Sequence, residues 1–210
     1  MLLSVPLAFV ASVVLTGLMR RYALAKRLLD IPNERSSHTV TTPRGGGLAM
    51  VASFALVLVV QVLFGGLEQR LATAVLPAAL IVAAVGFLDD HNDVSVRGRI
   101  LVHFLAVAWA IYWLRGAAFI PLPGQLLALG WPGHLLAVLV VVWFLNLFNF
   151  MDGIDGIAAA EAAFVAFAGA WLALMSGLQD LVFALLVLGA AALGFLAWNW
   201  YPAKIFMGDV

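Results

Sequence analysis

Cysteine is absent from all 210 residues, so neither a disulfide nor a thiolate metal site can form, and the redox compartment leaves no trace. Charge is scarce as well. Only 10% of the residues are charged, where a soluble domain carries about 25%. Basic and acidic residues number 11 each, giving no net charge and no basic stripe to neutralise phosphates. Nucleic acid is thereby excluded as a partner. The opening Met1-Leu2-Leu3-Ser4 has no positive n-region, and the first charges, Arg20 and Arg21, follow the apolar run. That run is expected to be a retained transmembrane helix rather than a cleaved signal. What abounds is apolar: 65% of the chain, against about 45–50% in a soluble domain. The solvent this composition implies is lipid.

A helix needs roughly 17–25 mostly apolar residues to cross a bilayer. Five runs approach that length: Leu2–Met19, Leu48–Phe64, Leu71–Leu88, Ile157–Met175 and Leu181–Trp198. Two shorter ones, Ile100–Leu114 and Leu135–Phe148, need their flanks to span. The expected fold is therefore all-α, a polytopic bundle of about seven helices forming a single transmembrane domain over residues 1–210. Pro77, inside the third run, should kink it; a bundle tolerates this where a neighbour satisfies the freed carbonyl.

Orientation follows from the bases. If loops alternate sides, one set holds Arg20, Arg21, Lys26, Arg27, Arg35, Arg44, Arg97, Arg99 and Lys204, and the other only Arg70 and Arg115. The positive-inside rule places the first set in the cytoplasm and the N-terminus outside. Asp30, Glu34, Asp89, Asp90, Asp93, Asp152, Asp155 and Asp209 fall on that same side, while Glu68 and Asp180 fall on the other. One face thus gathers every acid-rich motif, the expected mark of a single active site facing the cytoplasm.

Four segments on that face carry the chemistry. The first holds Asp30 to His38, then Pro43-Arg44-Gly45-Gly46-Gly47. Glycines opening a helix can present backbone N–H groups to an anion beside Arg44; taken alone, this one reads as a flexible hinge. The second is Gly86-Phe87-Leu88-Asp89-Asp90-His91-Asn92-Asp93. Adjacent carboxylates at a membrane helix end are costly unless solvated, paired or metal-bound. The segment suits either a solvated loop balanced by Arg97 and Arg99 or a hard-oxygen site for Mg²⁺. The third runs from Asn146 to Gly156, with polar residues at 146, 149, 152 and 155 and glycines at 153 and 156 that should loosen the helix. Such groups in an apolar stretch are expensive, which favours a ligand site over a polar seam between helices. The last is Asn199 to Val210, where Trp198, Trp200 and Tyr201 fit an interfacial belt. Among four histidines none has zinc spacing. His103 should be hydrogen-bonded inside the bundle, and His38 and His91 are open to phosphate or to water.

Together, DIPNERSSH, PRGGG, GFLDDHNDVS, NFMDGIDG and IFMGD resemble the bacterial polyprenyl-phosphate N-acetylhexosamine-1-phosphate transferases, on the O-antigen-initiating branch rather than the peptidoglycan one. The resemblance spans the chain in order. It implies transfer of a sugar-1-phosphate from a UDP-activated amino sugar to undecaprenyl phosphate at the inner membrane face, with Mg²⁺ as cofactor and release of UMP. It implies that Asn149 and Asp209 hold the metal. Asp89 would act on the lipid phosphate as base or orienting group, supported by Asp90. Asp152 and Asp155 would lie beside the metal and nucleotide, and Phe206 would stack on uracil. Arg44 is the expected anion contact, and a homodimer is compatible with the pattern.

Two departures stand out. Thr41 occupies a position where a second proline is expected ahead of Pro43. The resembling family also continues past FMGD with further helices and a His-rich inner loop, so residues 1–210 are expected to be C-terminally incomplete and inactive by themselves. The rival reading is an ion-coupled transporter with an Asp/Asn cation site, which would place acids near the bilayer midplane. A CDP-alcohol phosphatidyltransferase needs an Ala-Arg pair after its first Asp-Gly. Here Ile157-Ala158-Ala159-Ala160 follows instead.

Overall fold

The computed structural model describes residues 3–32, 39–92, 94–114, 119–122 and 125–210, and side chains of the 119–128 region are left aside. Glu34, Arg35 and His38, with Asp93 and Arg115, lie outside the described residues. Within them the chain forms seven helices: α1 (Ser4–Lys26), α2 (Gly47–Leu63), α3 (Gln69–His91), α4 (Val96–Leu114), α5 (Gly130–Met151), α6 (Ile157–Met175) and α7 (Gln179–Asn199). Six are long and apolar enough to cross a membrane; α2, at 17 residues, is the short one. The two runs that needed their flanks obtain them, reaching 19 residues in α4 and 22 in α5. Two antiparallel ribbons were not anticipated. Strands β1 (Leu29–Asp30) and β2 (Thr42–Pro43) fold the first motif loop back on itself, and β3 (Phe119–Leu122) pairs with β4 (Gln125–Ala128).

Side-chain hydrogen bonds reveal the alternation of helix direction. At the end away from the motifs, Gln61 Nε2 donates to Ser4 Oγ at 2.8 Å, and Glu68 N–H to Asp180 Oδ2 at 3.0 Å. Arg70 donates to the Trp113 and Leu114 carbonyls, each at 2.8 Å, and so caps the C-terminus of α4. Residues from the ends of α1, α2, α3 and α4 and the start of α7 are thereby joined at one end. The acid motifs close the other.

The core lies among α1, α2, α3, α6 and α7, with Leu58, Val187, Phe195 and Ile205 fully buried. Lipid tails offer helices no hydrophobic drive to associate, so close packing and hydrogen bonds must hold them. Helix α7 supplies both. A Cβ on Gly194 would lie 2.5 Å from the Phe9 carbonyl oxygen, so α1 and α7 touch backbone to backbone there. Buried Ser12 Oγ donates to Ala191 O at 2.7 Å. Trp198, expected in the aromatic belt, also donates to Val13 O at 2.9 Å and covers Gly17. Trp200 and Tyr201 are exposed, as a belt requires.

Helix α3 continues through Pro77. Proline lacks the N–H that would bond the carbonyl four residues back, which is that of Thr73. Trp109 Nε1 of α4 donates to that carbonyl at 2.9 Å. A neighbouring helix thus closes the gap that proline opens. His103 departs from expectation: its Nδ1 is buried without a hydrogen-bond partner. Among the described residues no acceptor reaches that nitrogen.

Candidate active site

Three helix ends and the C-terminal segment meet at the motif end. Helix α4 begins after Ser95, whose Oγ accepts from Gly98 N–H at 3.2 Å, a capping arrangement that fixes the first turn. The turn carries Arg97 and Arg99, two positions apart and so on different sides of the helix. Arg97 is exposed, whereas Arg99 points into the cluster. Its Nη1 forms an ion pair with Asp89 Oδ2 and lies 3.4 Å from Asp209 Oδ2. Asp89 Oδ1 accepts from Val94 N–H at 2.7 Å, holding the α3–α4 loop. Asn149, from the last turn of α5, donates through Nδ2 to Asp209 Oδ1 at 3.2 Å. Two carboxylates from separate motifs therefore share one guanidinium, and a third motif joins them through Asn149.

Asp90 behaves differently from its neighbour. Its side chain is 1% exposed. Oδ1 accepts a long bond from Asp209 N–H at 3.4 Å and lies 3.5 Å from Arg44 Nε, while Arg44 Nη2 donates to the Asp90 carbonyl at 3.0 Å. Asp90 Oδ2 is buried with no partner. Arg44 is thus held by Asp90 rather than standing free for an anion. The PRGGG segment, expected to be a flexible hinge, is instead tied down: Gly46 N–H donates to Phe206 O at 2.9 Å and Gly47 N–H to Met207 O at 2.8 Å. These glycines admit another stretch of backbone. The reason is steric, since side chains there would collide with Phe195 and Met207.

The periodic row in α5 divides. Among the described residues Asn146 Nδ2 bonds only to its own helix, at Val142 O, 2.8 Å away. The helix ends at Met151, and Gly156 takes a φ of 79°, so the glycines do loosen it. Asp152 and Asp155 fall in the resulting loop. Asp155 Oδ2 accepts from Ala203 N–H at 2.9 Å. Burial first, and then the charge of Asp155, pushes the Asp152 carboxyl up to about 6. Among the described residues no hydrogen bond or ion pair joins either acid to the Arg99 cluster. Burial, followed by the adjoining Asp89 carboxylate, also holds Asp209 above the usual carboxylate value. Phe206 is tied through its backbone, donating to Pro43 O at 2.8 Å.

The structure therefore unites Arg44, Asp89, Asp90, Asn149 and Asp209, leaves Asp152 and Asp155 on the loop after α5 with no bond to that group among the described residues, and fixes Phe206 by its main chain. Arg99 was left out of the site by the sequence reading, which treated it as a balancing charge; its helical phase opposite Arg97 was the available signal. Asn199 was missed too. It is buried, accepting from Gly156 N–H at 3.1 Å and donating to Ile205 O at 3.0 Å. His91 spends both ring nitrogens internally: Nδ1–H donates to Phe87 O at 2.8 Å and Nε2 accepts from Tyr22 Oη at 3.2 Å. The donors are of the type a divalent metal takes, although among the described residues no three acids or histidines gather into a metal cluster. Mg²⁺ takes hard oxygen ligands and often only one or two carboxylates, with phosphates and water completing the shell. Asp89 and Asp209 already flank a cation, the guanidinium of Arg99, and Asn149 is bonded to Asp209.

Fold and site define a multi-pass membrane protein with an acid-rich polar centre at one end of its bundle. The chain belongs to glycosyl transferase family 4, whose profile matches residues 72–210. It is 33% identical over 99% of its length to a probable undecaprenyl-phosphate N-acetylglucosaminyl 1-phosphate transferase of Bacillus subtilis (strain 168), of which it covers 59%. A phospho-N-acetylmuramoyl-pentapeptide-transferase of Desulforudis audaxviator is 32% identical over 99% of this chain and 71% of its own. A decaprenyl-phosphate N-acetylglucosaminephosphotransferase of Mycolicibacterium smegmatis is 29% identical over 92% of this chain and 52% of its own.

Proposed function

We propose that residues 1–210 form the cytoplasmic-face phosphotransfer site of an enzyme that moves N-acetylhexosamine-1-phosphate from a UDP-sugar to undecaprenyl phosphate, releasing UMP, for cell-envelope polysaccharide synthesis. The observation that carries this reading is that Asp89 and Asp209 meet at Arg99 while Asn149 bonds the far oxygen of Asp209, all at the helix ends. An oxygen of the lipid phosphate attacks the sugar-bearing phosphorus; the bond to UMP breaks and UMP departs. Such transfer depends chiefly on positioning and charge neutralisation. Mg²⁺, when bound, neutralises the charge of the diphosphate. Asn149 and Asp209 are the residues assigned to hold it. A phosphate monoester has a second pKa of about 6 and is largely ionised at neutral pH. Asp89 is therefore assigned to orient the lipid phosphate, with Asp90 supporting it. Asp152 and Asp155 line the nucleotide side and the Phe206 ring stacks on uracil, while Arg44, held by Asp90, loses the anion-contact role. A cation-transport site would sit near the midplane, whereas Asp89 and Asn149 stand in the last turns of α3 and α5. Pairing of two copies as a homodimer belongs to the same reading, tested by the mass of the detergent-solubilised protein.

The chain spans 59% of the length of the Bacillus subtilis relative, so the test is a chimera in which residues 1–210 replace the matching part of that protein. Labelled lipid-diphosphate sugar should form from UDP-N-acetylglucosamine and undecaprenyl phosphate, and stop with a chelator. A chimera that inserts normally yet makes no product from any UDP-N-acetylhexosamine would overturn the reading. Residues 1–210 alone should release UMP at under about a tenth of the chimera's rate, because second-shell support typically counts for 10–100-fold. Orientation is tested by single cysteines at Asn92 and Ser176 in this Cys-free chain. An impermeant thiol reagent applied to intact cells should label Ser176→Cys and spare Asn92→Cys.

A further inference from the structure

The C-terminal stretch Ile205–Asp209 has no helix or strand of its own, yet Ile205 is fully buried and Met207 nearly so. It is held in a slot. One wall is the entry to α2, where Gly46 and Gly47 donate to the Phe206 and Met207 carbonyls and Pro43 accepts from Phe206 N–H. The other wall is α3, where a Cβ on Gly86 would run into the Asp209 carbonyl oxygen. The floor is Asp90, 119 residues distant in sequence, receiving Asp209 N–H. Gly208 crosses directly over this carboxylate with a φ of 80°, and a side chain there would strike Asp90 Oδ2 and the Gly45 nitrogen. A peptide threaded this closely has almost no freedom to slide. Whatever holds Asp209 N–H and C=O also determines where its carboxylate lies between Asn149 and Arg99.

We infer that Asp90 and the glycine walls at Gly46, Gly47 and Gly86 act together as a positioning slot: they seat residues 205–209 as a strap and so place the Asp209 carboxylate beside Asp89. The adjacent acids thereby divide the labour. Asp89 faces the polar centre, and Asp90 is a positioning residue that acts through Asp209 without meeting substrate or metal. The inference rests on the reading of Asp209 as a metal ligand for its consequence, though not for its geometry.

The absence of cysteine permits a direct structural readout. In membranes holding Met207→Cys, a small permeant maleimide should react slowly. Adding Gly86→Ala should speed that reaction by about tenfold or more, the signature of local opening. Asp90→Ala, which removes the acceptor without adding a clash, should act in the same direction, and Asp90→Asn, which keeps an acceptor oxygen, should restore shielding. Ala192→Cys, fully buried on α7, reports the bundle and should stay shielded throughout. Should Gly86→Ala open Ala192→Cys as well, Asp90→Ala and Asp90→Asn decide on the same pair of readouts. A shielded Met207→Cys in both Gly86→Ala and Asp90→Ala would overturn the slot. Mn²⁺ binding by electron paramagnetic resonance gives the second readout. Asp90→Asn should stay within about threefold of the parent while Asp209→Asn loses about tenfold or more. Equal loss in Asp90→Asn would make Asp90 a ligand and end the positioning role. If even the parent binds no Mn²⁺ while the cysteine pattern holds, the slot stands and the metal assignment to Asp209 falls.

Discussion

Helices α5 and α7 are nearly equal in length, 22 and 21 residues, and both are apolar, yet half of α7's spanning window is buried and only 6% of α5's. The difference lies in side-chain size. Helix α7 presents Gly189, Ala190, Ala191, Ala192 and Gly194 to its neighbours, whereas α5 turns Trp143, Phe144 and Leu139 outward. Small residues let helices approach until backbones touch, and in lipid that contact is what association rests on. Helix α5 nevertheless supplies Asn149 to the polar centre. The site therefore joins a tightly packed group of helices to a loosely held one, and Asn149 with Asp209 is the link between them.

The sharpest way to break the contrast is to truncate one large side chain on each helix. Phe195→Ala, fully buried on α7, should cost about 3–5 kcal/mol. Phe144→Ala, 61% exposed on α5, should cost no more than about 0.5 kcal/mol. Thermal unfolding in detergent compares the two. A similar cost for both would mean that α5 is packed in the membrane after all.

Next in size is the contrast between the two ends of the bundle. In the chimera, Asp209→Asn should lower transfer about 100-fold, the scale of a lost electrostatic contact at a reacting centre. Asp180→Asn, which at the far end keeps an acceptor oxygen for Glu68 N–H, should stay within about twofold, since rates move tenfold per 1.36 kcal/mol. Comparable losses would remove Asp209 from the site.

Asn149→Leu tests the link itself. Mn²⁺ affinity should fall about tenfold or more, since even outer-shell groups are worth 10–100-fold, with thermal stability changed by less than about 0.5 kcal/mol. A large loss of stability would show that α5 is anchored through Asn149. The smallest effect is expected at Asn146, whose side chain, among the described residues, bonds only within its own helix. Asn146→Leu should shift stability by under about 0.5 kcal/mol. A cost well above that would reveal a partner for the polar face of α5.

Much of this was legible beforehand. Bilayer thickness makes span length readable, so the seven helices emerged from composition and run length alone; α4 and α5 needed flanking residues because helix geometry continues past the last apolar side chain. Pro77 announced a freed carbonyl, though nothing in the string pointed to Trp109 as its donor. The acids clustered on one side because loops alternate. What the string hid was pairing. Asp89 and Asp90 look equivalent as neighbours, and the glycines of PRGGG look like a flexible hinge. Successive helical residues, however, point about 100° apart, so one carboxylate meets Arg99 and the other the strap.

Sequence by itself determined that this chain lives in lipid, that it crosses repeatedly, and that its polar chemistry gathers at one end. These depend on local quantities: hydrophobicity summed over a span, and charge counted loop by loop. Only the tertiary structure decided which acid faces the polar centre, that Arg99 stands between Asp89 and Asp209, and that the glycines seat residues 205–209. Those outcomes depend on contacts across 110 and 119 residues of chain. Such contacts are selected by whether two backbones can approach closely enough to bond, a property of the assembled bundle that no single segment contains.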